Sequence, residues 1–248
     1  LIYGLPHQNT ESIKTTIDTV LSLDPDRLAL YHYAHLPHIF KPQRRIDTNV
    51  VPGSEEKLDM LQYCVQTLTE RGYVFIGMDH FAKPDDELSI ALKEGFLQRN
   101  FQGYSTYADC DLVAIGVSSI GKIGSTYSQN ERDIDAYYAA LDARHLPIMR
   151  GYQLNQDDIL RRNIIQDLMC RFSLDYQIYE SVFGIPFSRY FAAELEDMKQ
   201  LETLGLVRLK PHSLTVTPKG RFLIRNIAMV FDYHLRHKET KAKYSQTV

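Results

Sequence analysis

Histidine recurs where this sequence changes direction. Leu5-Pro6-His7, Tyr33-Ala34-His35 and Met78-Asp79-His80 each follow a short apolar run, and a fourth such run leads to Ser118-Ser119-Ile120. Imidazole titrates near neutral pH and is the commonest metal ligand, so these positions are the first to weigh for chemistry. His7, His32, His35, His38 and His80 do not read as one metal centre. Ligands must converge and be oriented by a second layer of hydrogen bonds, whereas His32 and His35 lie on a strand or its exit and need not point the same way. Satisfied or solvent-facing histidines are expected, and no metal ligand is assigned. Asp79-His80 looks like a carboxylate orienting an imidazole. Adjacent strand residues face opposite sides of a sheet, so these two are not expected to work as an acid–base pair. His80 alone is the pocket candidate.

Three further stretches carry chemistry. Arg99-Asn-Phe-Gln-Gly-Tyr104 puts a cation, two amides and two aromatic rings into a glycine-containing loop. Such a loop can present hydrogen-bonding groups to a ligand, and it can equally be a polar connection. Gly116-Val-Ser-Ser-Ile-Gly121 follows an apolar run with small residues, which let a ligand approach backbone closely. It is not a GxGxxG fingerprint, and neither a Walker motif nor GxSxG occurs. Between Arg208 and Lys243 lie nine Lys or Arg, opposed only by Asp232 and Glu239, giving +7 in a chain whose formal charge is −3. Nucleic-acid binding, attraction of an acidic small molecule and a solvated helix face are all compatible with that balance.

The chain has 248 residues, 44% hydrophobic and 24% charged. These are ordinary globular proportions, and they exclude disorder and fibrous structure. No apolar run reaches the roughly 18 residues of a membrane span. Cys64, Cys110 and Cys170 stand 46 and 60 positions apart, without a CxxC-like pair. A reducing, cytoplasmic setting is the natural reading of that spacing, rather than a disulfide framework. The chain opens on Leu1 inside an apolar run and shows no signal peptide, so it is expected to be the later part of a longer protein.

The elements that must position these residues alternate. Short apolar runs at 1–4, 27–33, 73–78 and 112–117 read as strands. Amphipathic stretches from Asn9 or Thr10 to the Asp24-Pro25-Asp26 stop, over 54–72 and over 85–94 read as helices. Strand–helix alternation predicts a parallel α/β arrangement with function at the strand ends. Near residue 150 the pattern changes. Helices are predicted over 157–172, 178–183 and 188–204, then a two-stranded hairpin over 206–210 and 213–217, then one helix over 221–237. That order resembles a winged helix. Two domains are expected, 1–150 and 151–248.

Several segments then stand in the order of a known family. Leu1-Ile-Tyr-Gly-Leu-Pro6, Tyr33-Ala-His-Leu-Pro37, Phe75-Ile-Gly-Met-Asp-His-Phe-Ala82 with Pro84-Asp-Asp-Glu-Leu88, Arg99-Asn-Phe-Gln-Gly-Tyr104, Gly116-Val-Ser-Ser-Ile120 and Thr217-Pro-Lys-Gly-Arg-Phe-Leu-Ile-Arg-Asn226 together closely resemble oxygen-independent coproporphyrinogen III oxidases, bacterial radical S-adenosylmethionine enzymes of haem biosynthesis. The resemblance implies an α/β fold: the C-terminal part of a partial (β/α) radical SAM barrel at 1–150, then a mostly helical, winged-helix-like domain at 151–248. It implies S-adenosylmethionine and a [4Fe–4S] cluster, whose CxxxCxxC ligands are absent from this chain, so that the chain alone is expected to be inactive. It maps S-adenosylmethionine contacts onto Ala34 and Ile120, with Gln102 a further ligand-side residue.

The implied reaction converts two propionates of coproporphyrinogen III to vinyl groups, yielding protoporphyrinogen IX, with an electron donor and an acceptor as partners. Four substrate carboxylates give the basic C-terminal stretch a partner, and Arg221, Arg225 and Arg236 are the candidates to meet them. A cytoplasmic monomer without nucleic-acid or membrane partners is expected. The alternatives are a non-enzymatic haem chaperone of the same superfamily and a winged-helix nucleic-acid binder.

Overall fold

A computed structural model describes residues 1–107 and 110–237. The N-terminal portion contains β1 (Ile2–Tyr3), α1 (Thr10–Ser22), β2 (Arg27–Ala29), β3 (Tyr31–His32), α2 (Ser54–Glu70), β4 (Val74–Gly77), β5 (His80–Ala82) and α3 (Glu87–Glu94). Asn9 caps α1 in a reciprocal box: its side chain accepts from Ser12 N at 2.9 Å, and Ser12 Oγ accepts from Asn9 N at 3.0 Å. Ile13 and Ile17 of α1 pack with Met60, Cys64 and Leu68 of α2 beneath Tyr3, Leu28, Leu30 and Phe81. Helical spacing of apolar residues thus does what periodicity predicts.

The strands pair differently from the expectation. Only β1 and β3 run parallel; β2–β5–β4 is antiparallel. The reversal comes from Gly77 and Met78, with φ of 146° and 48°. They fold the chain into a tight hairpin where a strand exit was expected. Asp79 therefore lies in the hairpin turn, and its carbonyl accepts from Leu30 N at 2.7 Å.

The middle portion contains β6 (Gln98–Asn100), β7 (Gly103–Ser105), β8 (Ile120–Ile123), β9 (Thr126–Asn130), α4 (Ile134–Asp142) and β10 (Ile148–Gln153). β6 and β7 form a hairpin, and β10–β9–β8 is an antiparallel sheet. The strand expected over 112–117 is absent. One bridge pairs Leu112 with Lys122, and then Gly116 and Ser118 turn the chain at φ of 99° and 60° before β8 begins. Val113 and Ile115 are exposed, so this apolar run gains no burial from becoming a strand. Among the described residues no hydrophobic side chain between Leu97 and Leu160 is fully buried.

The C-terminal portion contains α5 (Gln156–Arg171), β11 (Ser173–Asp175), α6 (Tyr176–Phe183), α7 (Phe187–Tyr190), α8 (Ala192–Thr203), β12 (Val207–Lys210), β13 (Ser213–Val216), α9 (Pro218–Arg221), α10 (Ile224–Met229) and α11 (Tyr233–Arg236). The expected hairpin is present as β12–β13, and β11 extends it to three antiparallel strands. The expected helix over 188–204 breaks at Phe191, and the one over 221–237 divides into three short helices. Phe191 and Phe231 are both fully buried, and sinking these rings turns the chain at each break. Gly220 admits no side chain, because a Cβ there would collide with the Leu206 carbonyl oxygen. β10 runs through residue 150, and one core joins Ile76, Leu88 and Leu97 to Leu160, Phe172, Phe187 and Phe231.

A buried charge network ties the C-terminal helices together. Arg161 Nη1 donates to Glu194 Oε1 at 2.9 Å and to the Phe231 carbonyl at 3.2 Å, while its Nε donates to Asp157 Oδ2 at 2.8 Å. Phe191 and Tyr233 flank the guanidinium at 5.1 and 5.4 Å. Nε and Nη1 of this buried cation therefore each have a carboxylate acceptor, which offsets part of the cost of burying it.

Candidate functional site

The β6–β7 hairpin is the hub of the candidate site. Tyr104 anchors it, donating from its hydroxyl to the Met169 carbonyl of α5 at 3.1 Å. The Tyr104 ring meets His80 edge-on at 5.3 Å between centroids, and His80 meets Tyr31 at 6.0 Å. A second pair, Tyr3 and His32, lies at 5.5 Å on the parallel strands. Burial raises the Asp79 carboxyl above its ordinary pKa, and Arg225 and Arg99 only partly offset it. Burial, then Arg99, lowers the His80 imidazole; burial, then Lys57, lowers His32. Both environments therefore favour the uncharged ring. His80 Nδ1 and His32 Nε2 are enclosed without a hydrogen-bond partner among the described residues.

This arrangement can orient and hydrogen-bond a ligand, because it combines imidazoles biased towards the uncharged form, a carboxyl biased towards protonation and a guanidinium. It contains no nucleophile hydrogen-bonded to a base. Asp79 occupies a turn, not a strand, so the expected strand-face reason for separating it from His80 does not apply. Of the other histidines, His7 and His38 are exposed, and His35 Nδ1 lies 3.4 Å from the Tyr33 hydroxyl.

Ala34 lies two residues beyond β3, next to Tyr33, whose N–H donates to the Tyr3 carbonyl at 2.8 Å. Its own carbonyl accepts from Gln43 Nε2 at 3.0 Å, which fixes the loop. Ile120 opens β8 opposite Gln129. The turn before it is tied by Asn130 Nδ2, which donates to the carbonyls of Ala114 and Gly116 at 3.3 and 3.0 Å. Gln102 sits exposed at the tip of the β6–β7 hairpin, its N–H donating to Asn100 Oδ1 at 2.8 Å. Two aromatic contacts run outward from the hairpin that carries Gln102. Phe101 meets Tyr127 of β9 at 5.4 Å, next to the sheet that carries Ile120. The Tyr104–His80–Tyr31 run leads back to the strand preceding Ala34. Sequence reasoning missed Tyr31 and Tyr104 as the connectors, and the signal available was an aromatic beside each flagged residue.

The three arginines occupy three different environments. Arg221 stacks its guanidinium on Phe172 at 4.4 Å, and burial lowers its pKa. Arg225 is exposed on α10, within electrostatic reach of Asp79. Arg236 is taken up by Asp197 of α8 at 2.7 Å. Among the three, only Arg236 has a carboxylate ion-pair partner among the described residues. Lys238, Glu239, Lys241 and Lys243 of the basic stretch lie outside the described residues.

The cysteines do not fit as cluster ligands. Cys64 and Cys170 are buried in the two cores, which pushes both thiols up to about 12, and Cys110 is exposed elsewhere. An iron–sulfur cluster requires thiolates.

Residues 154–223 match the family described as the HemN C-terminal domain. Over 248 residues the chain is 47% identical to the oxygen-independent coproporphyrinogen III oxidase of Salmonella typhimurium, covering all of this chain and 54% of that protein. The protein of the same name from Thermostichus vulcanus is 46% identical over 239 residues, covering 96% of this chain and 74% of the relative. A solved structure of Escherichia coli coproporphyrinogen III oxidase (HemN), described as a radical SAM enzyme, superimposes with a TM-score of 0.92 at 48% identity, over 95% of this chain and 54% of that one. The chain thus spans about half the length of several curated relatives. With near-half identity along its whole length and a mixed α/β fold shared with the solved relative, the chain belongs to the oxygen-independent coproporphyrinogen III oxidase family.

Proposed function

We propose that this chain acts as the C-terminal portion of a radical S-adenosylmethionine oxidoreductase that oxidatively decarboxylates two propionates of coproporphyrinogen III, giving protoporphyrinogen IX. The observation that carries the reading is the 46% identity to a relative of which this chain covers 74%. Each propionate loses carbon dioxide and a β-hydrogen to become a vinyl group, and the remaining electron leaves to a one-electron acceptor. S-adenosylmethionine, with a reduced [4Fe–4S] cluster held elsewhere in the protein, supplies the hydrogen-abstracting power when bound. The chain's own residues bind and orient. Ala34 and Ile120 offer small or apolar borders, suited to an adenosine edge, and Gln102 offers an amide at the tip of the β6–β7 hairpin.

In this reading residues 1–150 are the C-terminal part of a partial barrel. Residues 151–248, with β11–β13 beside the helices, are a winged-helix-like supporting unit whose role is not DNA binding. No helix among the described residues is long and apolar enough to cross a membrane; a cytoplasmic monomer is part of the proposal. The test is an anaerobic assay of the cluster-loaded protein with S-adenosylmethionine, a reductant and coproporphyrinogen III. Two equivalents of carbon dioxide per protoporphyrinogen IX are expected. Porphyrin binding without carbon dioxide release would overturn the reading in favour of a haem carrier.

A further inference from the structure

A cavity of about 700 Å³ lies between the β6–β7 hairpin, the β8–β9 hairpin and α5. That is within the roughly 300–1,000 Å³ of small-molecule sites. Three cations line it, Arg99, Lys122 and Arg162, and none makes an ion pair among the described residues. Among the described residues, Arg99 Nε and Arg162 Nη1 are shut off from water without a hydrogen-bond acceptor. The carboxylate of Asp111, which also lines the cavity, is already engaged by Gly124 N at 2.8 Å. Cations that have lost part of their hydration without gaining a counter-charge are costly, and a carboxylate answers a guanidinium best, through paired short hydrogen bonds. Phe101 and Tyr127, in contact at 5.4 Å, supply an aromatic wall beside these charges.

We propose that this cavity binds the carboxylate arm of a ring-bearing polycarboxylate, with Arg162 and Lys122 as its anion-binding residues and Phe101 and Tyr127 against its ring. It rests on the proposed function, in which that ligand is the substrate and the arm is one of its carboxylate side chains. The three-cation cavity thereby replaces Arg221, Arg225 and Arg236 as the place where substrate charge is met.

The test uses the cluster-loaded enzyme with R162Q, R162K and K122Q. Losing one charge-assisted contact should raise KM for coproporphyrinogen III roughly tenfold in R162Q and K122Q. Cleavage of S-adenosylmethionine without substrate should not change, and R162K should recover part of the loss. In a parallel arm, fluorescence titration with oxidised coproporphyrin III and its tetramethyl ester should show that the wild type prefers the free acid and that R162Q loses the preference. Unchanged KM and preference in a well-folded K122Q and R162Q would overturn the proposal. So would a lowered melting temperature in R162Q together with an unchanged KM in K122Q, which would mean that the cations serve folding. A wild type that releases no carbon dioxide yet prefers the free acid would overturn the proposed reaction while supporting the cavity.

Discussion

Gly77→Ala tests whether the β4–β5 turn and the β6–β7 hairpin are mechanically coupled through Tyr104. A Cβ built at Gly77 lies 2.5 Å from the Tyr104 hydroxyl oxygen, 3.2 Å from Tyr104 Cζ and 3.0 Å from Phe172 Cζ. Gly77 also holds φ at 146°, where a side chain is strained whatever the space. The backbone strain costs about 1–3 kcal/mol, and forcing a methyl into packed rings costs about 1–3 kcal/mol more. Tyr104→Phe alone removes only the hydroxyl's bond to the Met169 carbonyl, about 0.5–1.5 kcal/mol. It also removes the atom that the new methyl strikes most closely. The double variant should therefore be more stable than the sum of the single effects by about 1 kcal/mol or more. Urea unfolding followed by circular dichroism and tyrosine emission suits a chain with 16 Tyr and no Trp. Hydrogen exchange across 98–105 should report loosening of the hairpin in G77A. Additivity within about 0.3 kcal/mol, or a G77A cost below about 1 kcal/mol, would refute the coupling.

Asp158→Asn should destabilise the protein by about 1–2 kcal/mol at neutral pH. Burial disfavours the Asp158 charge, but hydrogen bonds from Asn155 N, His234 and Tyr152 outweigh it and hold the carboxyl below its ordinary value. A depressed pKa contributes stability above the unfolded value, about 4, that is lost as pH falls through the folded value; unfolding titrations should show this acid-side loss flattened in D158N. Ile120→Asp in the cluster-loaded protein should weaken S-adenosylmethionine binding by a few kcal/mol, about 3 for a carboxylate desolvated against an apolar edge. Unchanged cofactor affinity in a folded variant would remove Ile120 from the site. Anaerobic iron and sulfide reconstitution of the 248-residue chain alone should leave no cluster absorbance after desalting, because its two buried thiols resist ionisation; stoichiometric cluster retention would contradict that assignment.

Features settled within a few residues were legible in the sequence. Asn9, with Ser12, satisfies the first N–H groups of its helix locally. The apolar stripes of α1 and α2 follow the helical period, and the β12–β13 hairpin spans a short turn. The order of short motifs that marks the family needs no structure at all. Which strands pair, and in which direction, depends on partners far away in sequence. The run over 73–78 is equally apolar whether its neighbour is parallel or antiparallel, and the reversal rests on two backbone torsions at Gly77 and Met78. The basic C-terminal residues show the same limit for charge. Composition counts cations, but only tertiary structure assigns Arg236 to Asp197, Arg221 to the face of Phe172, and leaves Arg162 beside a cavity without a counter-ion among the described residues, because a charge's meaning depends on which opposite charge, ring or water the fold brings within a few ångströms.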